Sequence, residues 1–111
     1  MKVKKTQNKI YFKDDEKSFL NISIKENTAT LELLRVDERY RNSKLGSKIV
    51  SFVLFYIKKY LSHIKSIELS PLPLDKKGLS LESLVKFYEK FGFIKRFGQR
   101  SHEPYLMVKA L

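Results

Sequence analysis

Chemistry in this chain concentrates in two segments about forty residues apart. The first, LELLRVDERYRNSKLGSKIV over residues 31–50, reads as a strand, a turn and the start of a helix. The first backbone N–H groups of a helix have no internal partner and sit at the positive end of its dipole. A strand-to-helix turn carrying Arg41, Asn42, Ser43, Lys44, Leu45, Gly46 and Ser47 is therefore suited to an anion such as a phosphate. Asn42, Ser43 and Gly46 are small or turn-tolerant and let an anion reach the backbone; Arg41 and Lys44 add positive charge. The plain alternative is an ordinary helix start with Ser43 as its N-cap. The second segment, LVKFYEKFGFIK over residues 84–95, reads as a short helix able to aim the Tyr88 hydroxyl at whatever lies beside that anion. A phenol, with an ordinary pKa of about 10, is a proton donor at neutral pH. The plain alternative there is a core tyrosine on an apolar helix face.

These residues need a scaffold, and its elements are readable. Residues 9–12 and 18–24 alternate as strands, with Asp14-Asp15 and Glu26-Asn27 as turn residues, and 28–36 form a longer strand, giving an antiparallel meander. The spacing predicts a helix over 44–62. Leu45, Ile49, Phe52, Tyr56 and Tyr60 form one apolar row, and Val50, Val53, Ile57 and Leu61 a second beside it. Phe55 falls on the wet side. Residues 66–69 read as a short strand, and PLPLDKKGL as a loop that its prolines and glycine keep irregular. Ser80 is a good N-cap for a helix over 81–91, with Leu79 able to staple against Leu84. That helix would bury Leu81, Leu84, Val85, Tyr88 and Phe91, pair Glu82 with Lys86, and end at Gly92. Residues 93–97 and 105–110 read as two final strands. The expected fold is mixed α/β (α+β): a mostly antiparallel twisted sheet of about six strands, ordered β-β-β-α-β-α-β-β, with one parallel crossover.

Composition bounds the function. The 111 residues fit one domain, 1–111, and 42% apolar with 13% aromatic residues suit a packed core rather than a disordered chain. The absence of cysteine excludes disulfides, thiolate nucleophiles and cysteine zinc sites. His63 and His102 have no ligand-like spacing, so no metal is expected. No apolar run reaches a membrane span, and the basic start lacks a signal-like apolar stretch, so a cytoplasmic protein without membrane association is expected. The net charge of +11 predicts attraction to anions: a phosphorylated cofactor, an acidic acceptor or, as a secondary role, nucleic acid. No aromatic-interleaved stacking motif stands out in the sequence.

The stretch from Val36 to Lys48 resembles the acyl-CoA pyrophosphate loop of the GNAT superfamily of N-acetyltransferases, whose signature is Arg/Gln-x-x-Gly-x-Gly/Ala. Arg41 takes the first position and Gly46 the last; Lys44 stands at the middle glycine and Asn42 at the glycine often found after the arginine. Phe87-Tyr88-x-x-x-Gly92-Phe93 resembles the family's second hallmark, and the segment 105–111 resembles its last strand. The resemblance covers residues 18–111. The two helices that usually follow the family's first strand have no counterpart, so this is a minimal form.

The resemblance implies acetyl transfer from acetyl-CoA to a primary amine by direct attack, with Tyr88 as general acid to the departing thiolate. It implies that the strand bearing Leu33, Leu34, Arg35 and Val36 splays from residues 67–70, with pantetheine between them, and that Phe87 and residues 41–47 complete the cofactor site. An ammonium acceptor must lose a proton first; Glu32 and Glu68 on the central strands are the candidate bases, directly or through water. Either could equally be a plain strand residue. Arg100 and His102, in the loop before the last strand, are the candidate acceptor contacts, on a small molecule or a protein. The chain would act as a monomer or homodimer. Two other readings stand: a catalytically silent acyl-CoA-binding module, and a basic nucleic-acid-binding domain.

Overall fold

Alternation in the N-terminal third does what the pattern predicts. The computed structural model describes residues 1–37, 39, 44–71, 80–96 and 106–111. Its elements are β1 (Lys2–Lys5), β2 (Lys9–Asp14), β3 (Ser18–Lys25), β4 (Thr28–Val36), α1 (Leu45–Tyr60), β5 (Ser66–Leu69), α2 (Leu81–Glu89), β6 (Ile94–Arg96) and β7 (Leu106–Ala110). The strands form one sheet in the order β1-β2-β3-β4-β5-β7-β6. All neighbours are antiparallel except β4 and β5, the pair joined through α1. Turn chemistry sets the meander: Asp15 (φ 51°) and Glu26 (φ 56°) take left-handed backbone at the β2–β3 and β3–β4 reversals.

Both crossovers, β4-α1-β5 and β5-α2-β6, move across the sheet in the same direction. Right-handed connections then put both helices on one face. Burial agrees. Every buried strand residue, from Ile10 and Phe12 through Leu20, Leu31 and Ile67 to Met107, alternates onto the helix side and joins one core with Ile49, Val50, Val53, Ile57, Val85 and Tyr88. Each such large apolar side chain contributes about 1.5–3 kcal/mol by leaving water. Phe12 anchors α1 through edge-on contacts with Phe52 at 6.1 Å and Tyr56 at 5.2 Å.

The fold class and element order are as the sequence predicts, with differences at the margins. A strand before the first expected one, β1, pairs with β2. All four of its residues are exposed, so Lys-Val-Lys-Lys has no buried face to betray it. The α1 row runs out before Tyr60, which is 60% exposed and rests on Tyr56 instead of the core. In α2 only Val85 and Tyr88 are fully buried, with Leu81, Leu84 and Phe91 half-buried around them. The expected Leu79 staple and the loop before Ser80 lie outside the described residues, as do the expected strand ends at Phe97 and Tyr105. Ser80 caps α2, Glu82 meets Lys86 at 3.7 Å, and Gly92 (φ 91°) turns the chain into β6.

Candidate functional site

The site grows from the place where the sheet opens. Parallel pairing of β4 with β5 covers Thr28–Leu31 against Ser66–Leu69 and stops there. β4 continues to Val36 beyond this register, while the neighbouring chain leaves the sheet through Ser70 and Pro71. A bulge makes the departure sharper. Asn21 pairs with Leu33 and Ile22 with Leu31, so Glu32 is the extra residue. Bulges bend a strand, increase its twist and re-aim its side chains. The β4–β5 pairing thus stops before Leu33–Val36, the stretch expected to splay, and Leu34, Arg35 and Val36 follow the last paired residue, Leu31.

The end of β4 leads to the start of α1. Asp37 closes the strand, donating its N–H to the Lys17 carbonyl at 2.7 Å. Its carboxylate receives the Arg39 N–H at 3.0 Å and the Arg39 guanidinium at 3.1 Å. Those hydrogen bonds hold the Asp37 carboxyl below its ordinary pKa. Lys44 then occupies the cap position of α1 with left-handed backbone (φ 65°, ψ 16°) and no side-chain capping bond. The cap is thus Lys44, not the Ser43 of an ordinary helix start. The first i→i−4 bond of the helix runs from the Lys48 N–H to the Lys44 carbonyl at 3.1 Å. The N–H groups of Leu45, Gly46 and Ser47 precede that ladder, and no acidic residue stands in the first turn. The positive end of a helix dipole, with no acid in its first turn, is a place where an anion can be accepted.

Gly46 joins this end to α2. A Cβ there would lie 3.6 Å from the Phe87 ring and 3.6 Å from Val36 Cγ2. A methyl group fits at ordinary contact distance and anything larger meets the ring or the strand. The helix start, the end of β4 and α2 therefore converge on one residue. Next along α2, Tyr88 is 6% exposed and packs edge-on against Phe87 at 5.1 Å and Phe93 at 5.9 Å. Burial pushes its phenol up to about 12, so the hydroxyl is a proton donor throughout the neutral range. Among the described residues it makes no hydrogen bond.

The two carboxylates lie on the other side of the sheet. Glu32 meets Lys9 Nζ at 3.5 Å at an exposed position. Glu68 pairs in register with Thr30 and Val108, half-buried, on the same face. Of the residues expected to hold a cofactor, the structure gathers Leu34, Arg35, Val36, Lys44, Leu45, Gly46, Ser47, Phe87 and Tyr88 around the gap and the helix start. Arg41, Asn42, Ser43, Arg100 and His102 lie outside the described residues. Two features had no signal in the sequence, the bulge at Glu32 and the meeting of Phe87 with Gly46, and the left-handed Lys44 had only the glycine of the resembled signature to mark it. Among the described residues no three His, Asp or Glu side chains gather as metal ligands would, and no helix is long and apolar enough to cross a membrane.

The sequence profile of the acetyltransferase (GNAT) family matches residues 9–93. Among curated proteins none matches the chain in sequence. Solved structures share the fold. The PaiA N-acetyltransferase of Thermoplasma acidophilum, in complex with coenzyme A, superposes with a TM-score of 0.70 at 21% identity, over 94% of this chain and 62% of that one. The ribosomal-protein-S18-alanine N-acetyltransferase of Escherichia coli gives 0.71 at 15% identity, over 96% and 71%. The anti-CRISPR protein AcrVA5 gives 0.70 at 19% identity, over 93% of this chain and 99% of that one. This chain thus spans less than two thirds of the Thermoplasma protein and nearly all of AcrVA5.

Proposed function

Since the chain belongs to the acetyltransferase (GNAT) family, we propose that it is a minimal N-acetyltransferase, moving an acetyl group from acetyl-CoA to a primary amine by direct attack. The observation that carries this reading is the convergence at Gly46, where the open helix end, the end of β4 and the Tyr88 helix meet. Solved relatives of the same fold hold coenzyme A or acetyl-CoA, which supports the choice of cosubstrate.

The residues suit that cosubstrate in sequence along its length. The N–H groups of Leu45, Gly46 and Ser47, with Lys44 beside them and Arg41 adding charge in the sequence, would hold the pyrophosphate. Beyond its last pairing with β5, the backbone of β4 at Leu34 and Arg35 would run alongside the pantetheine arm, and Phe87 would wall the arm on the helix side. Acetyl-CoA supplies the activated thioester. The Tyr88 hydroxyl holds a proton for the thiolate that leaves, and its apolar ring cage keeps that proton in place. Glu32 and Glu68 stand across the sheet, on the face opposite the helices, and take the proton that the amine sheds, directly or through water. Donor and acceptor of protons then flank the gap from opposite faces, so one need not quench the other. Arg100 and His102 would meet the acceptor, and the charge of +11 favours one on an acidic molecule. The Escherichia coli relative is named for acetylating a ribosomal protein, which supports a protein amine as the acceptor class.

Thermal unfolding with millimolar acetyl-CoA tests the site. A ligand that binds only the folded chain at a hundredfold excess over its Kd adds about 2.7 kcal/mol, a rise of several degrees. Thiol release with a panel of amines then tests the chemistry, where Tyr88→Phe should lower turnover by about 10²–10⁴ with binding retained. A thermal shift with no turnover on any amine, and none altered by Tyr88→Phe, would leave a silent acyl-CoA-binding module. Absence of the shift would remove the cofactor site itself.

A further inference from the structure

The face of the sheet away from the helices, which carries Glu32 and Glu68, also carries over β1–β4 rings and cations to which the proposed acyl transfer gives no role. No strand residue on that face is buried, so it is open among the described residues. Register lays two cross-strand rows over β1–β4: Lys2, Lys13, Phe19 and Arg35 in one, and Lys4, Tyr11, Asn21 and Leu33 in the next. Tyr11 and Phe19 stand on adjacent strands, diagonal to each other, a relation that puts such residues roughly 7–8 Å apart. Tyr11 is 36% exposed and Phe19 half-buried. Lys9 and Lys25 extend the basic field along β2 and β3. Against these cations the same part of the face shows one carboxylate, Glu32, already paired with Lys9, while Glu16 reaches Lys13 from the neighbouring turn.

We propose that this open β1–β4 face binds single-stranded nucleic acid, with Tyr11 and Phe19 as stacking platforms and Lys2, Lys4, Lys13 and Arg35 as phosphate contacts. The chemistry selects the class. Aromatic rings on an open sheet, ringed by Lys and Arg, offer a surface for splayed bases and a positive track for the backbone. Asn21, between the rings, can donate to and accept from a base edge. A duplex hides its base faces and would engage only the cations, and an acidic polymer without bases would engage the same cations and leave the rings unstacked. A second copy of this chain would bring one basic field against another. The sequence hides the pattern because Tyr11 and Phe19 are eight positions apart and become neighbours only through the β2–β3 pairing. This binding does not depend on acyl transfer and stands or falls separately from it.

Fluorescence anisotropy with labelled 12-mers of oligo(U) and oligo(dT) tests it on the whole chain. Four to six phosphate contacts at about 0.7 counterions each give a log–log salt slope near −3 to −4, so affinity should fall on the order of a hundredfold from 50 to 200 mM salt. Tyr11→Leu and Phe19→Leu keep an apolar body on the strand and remove the ring; each should weaken binding roughly 5- to 100-fold, with the melting temperature and the acetyl-CoA shift unchanged. The double change Lys4→Glu, Lys13→Glu should abolish binding. Tighter binding of oligo(U) would name RNA as the ligand, tighter binding of oligo(dT) would name DNA, and either supports the proposal. It is overturned if neither oligomer binds at 50 mM salt. It is also overturned if the leucine variants bind as the parent does, or if duplex DNA or polyglutamate binds as tightly as the single strands.

Discussion

At the start of α2, Ser80 turns its hydroxyl back to accept the Ser83 N–H at 3.2 Å, and Glu82 stands in the first turn. At the start of α1, Lys44 holds the cap position with no side-chain bond, and no acid follows it in the first turn. The two helices lie on the same face of one sheet, so the contrast belongs to their ends. A closed end stabilises its helix by satisfying orphan N–H groups. An open end forgoes that gain and keeps its N–H groups and positive dipole for something outside the chain. In the reading proposed above, α2 is closed because its task is to hold Tyr88 still, and α1 is open because its task is to hold a pyrophosphate.

Exchanging the character of the open end gives the largest expected effect. Ser47 is the third residue of α1, where a carboxylate both caps N–H groups and complements the dipole. Ser47→Glu should therefore stabilise the free protein by about 0.3–1 kcal/mol. The same carboxylate would stand where the proposed site would hold the pyrophosphate and should weaken acetyl-CoA binding at least tenfold, because like charges about 4 Å apart cost roughly 4 kcal/mol at a surface dielectric near 20. Calorimetric titration and a melting curve on one sample would read both signs. A variant that gains stability and binds acetyl-CoA as before would show that the open end of α1 is not the anion site.

The closed helix is sharpened by its tyrosine. Burial raises the Tyr88 phenol from 10.0 to about 12. A raised folded value means that this group's contribution is complete below pH 10, where folded and unfolded chains are both protonated, and is lost as pH rises through 12. Two pKa units correspond to about 2–3 kcal/mol. The difference in stability between the native chain and Tyr88→Phe, followed by denaturant unfolding from pH 8 to 12, should shift in favour of the phenylalanine variant by that amount. Lysines titrate over the same range in both proteins and cancel in the difference. A flat difference would place the hydroxyl in water, outside the ring cage formed with Phe87 and Phe93.

The contrast between the helix ends was only half visible in the sequence. Ser80, followed by Glu82 and an apolar row, announces a capped helix in plain residue types, and the structure has it. The α1 end is hidden because lysine does not announce left-handed backbone; glycine or asparagine would have. The family signature places a glycine where Lys44 stands, and the φ of 65° supplies a physical reason for that preference. The meander was legible because one face of each strand is buried. β1 was not, because an edge strand exposed on both faces leaves no alternation to read. The bulge at Glu32 and the gap beyond Leu31 belong to pairing between strands, and a single strand's sequence carries no record of its partner's register. Tyr60 shows the opposite error: its row continues in the sequence, but the side chain is 60% exposed and packs on Tyr56, while the neighbouring row still buries Leu61.

The smallest effects expected from this contrast have opposite signs at the two caps. Ser80→Ala removes the acceptor for the Ser83 N–H and should cost about 1 kcal/mol, lowering the melting temperature by several degrees. Lys44→Gly relieves a left-handed backbone that a lysine side chain disfavours, so it should raise stability by roughly 0.5–1 kcal/mol. At the open end the gain comes without closing it, because glycine adds no carboxylate and no hydroxyl. Acetyl-CoA should still shift the melting temperature of the Lys44→Gly chain, reduced only by the loss of one nearby charge. If both substitutions lowered stability alike, Lys44 would have to stabilise the turn through its side chain, and the left-handed cap would be a consequence of that contact instead of a feature tolerated for the sake of an open helix end.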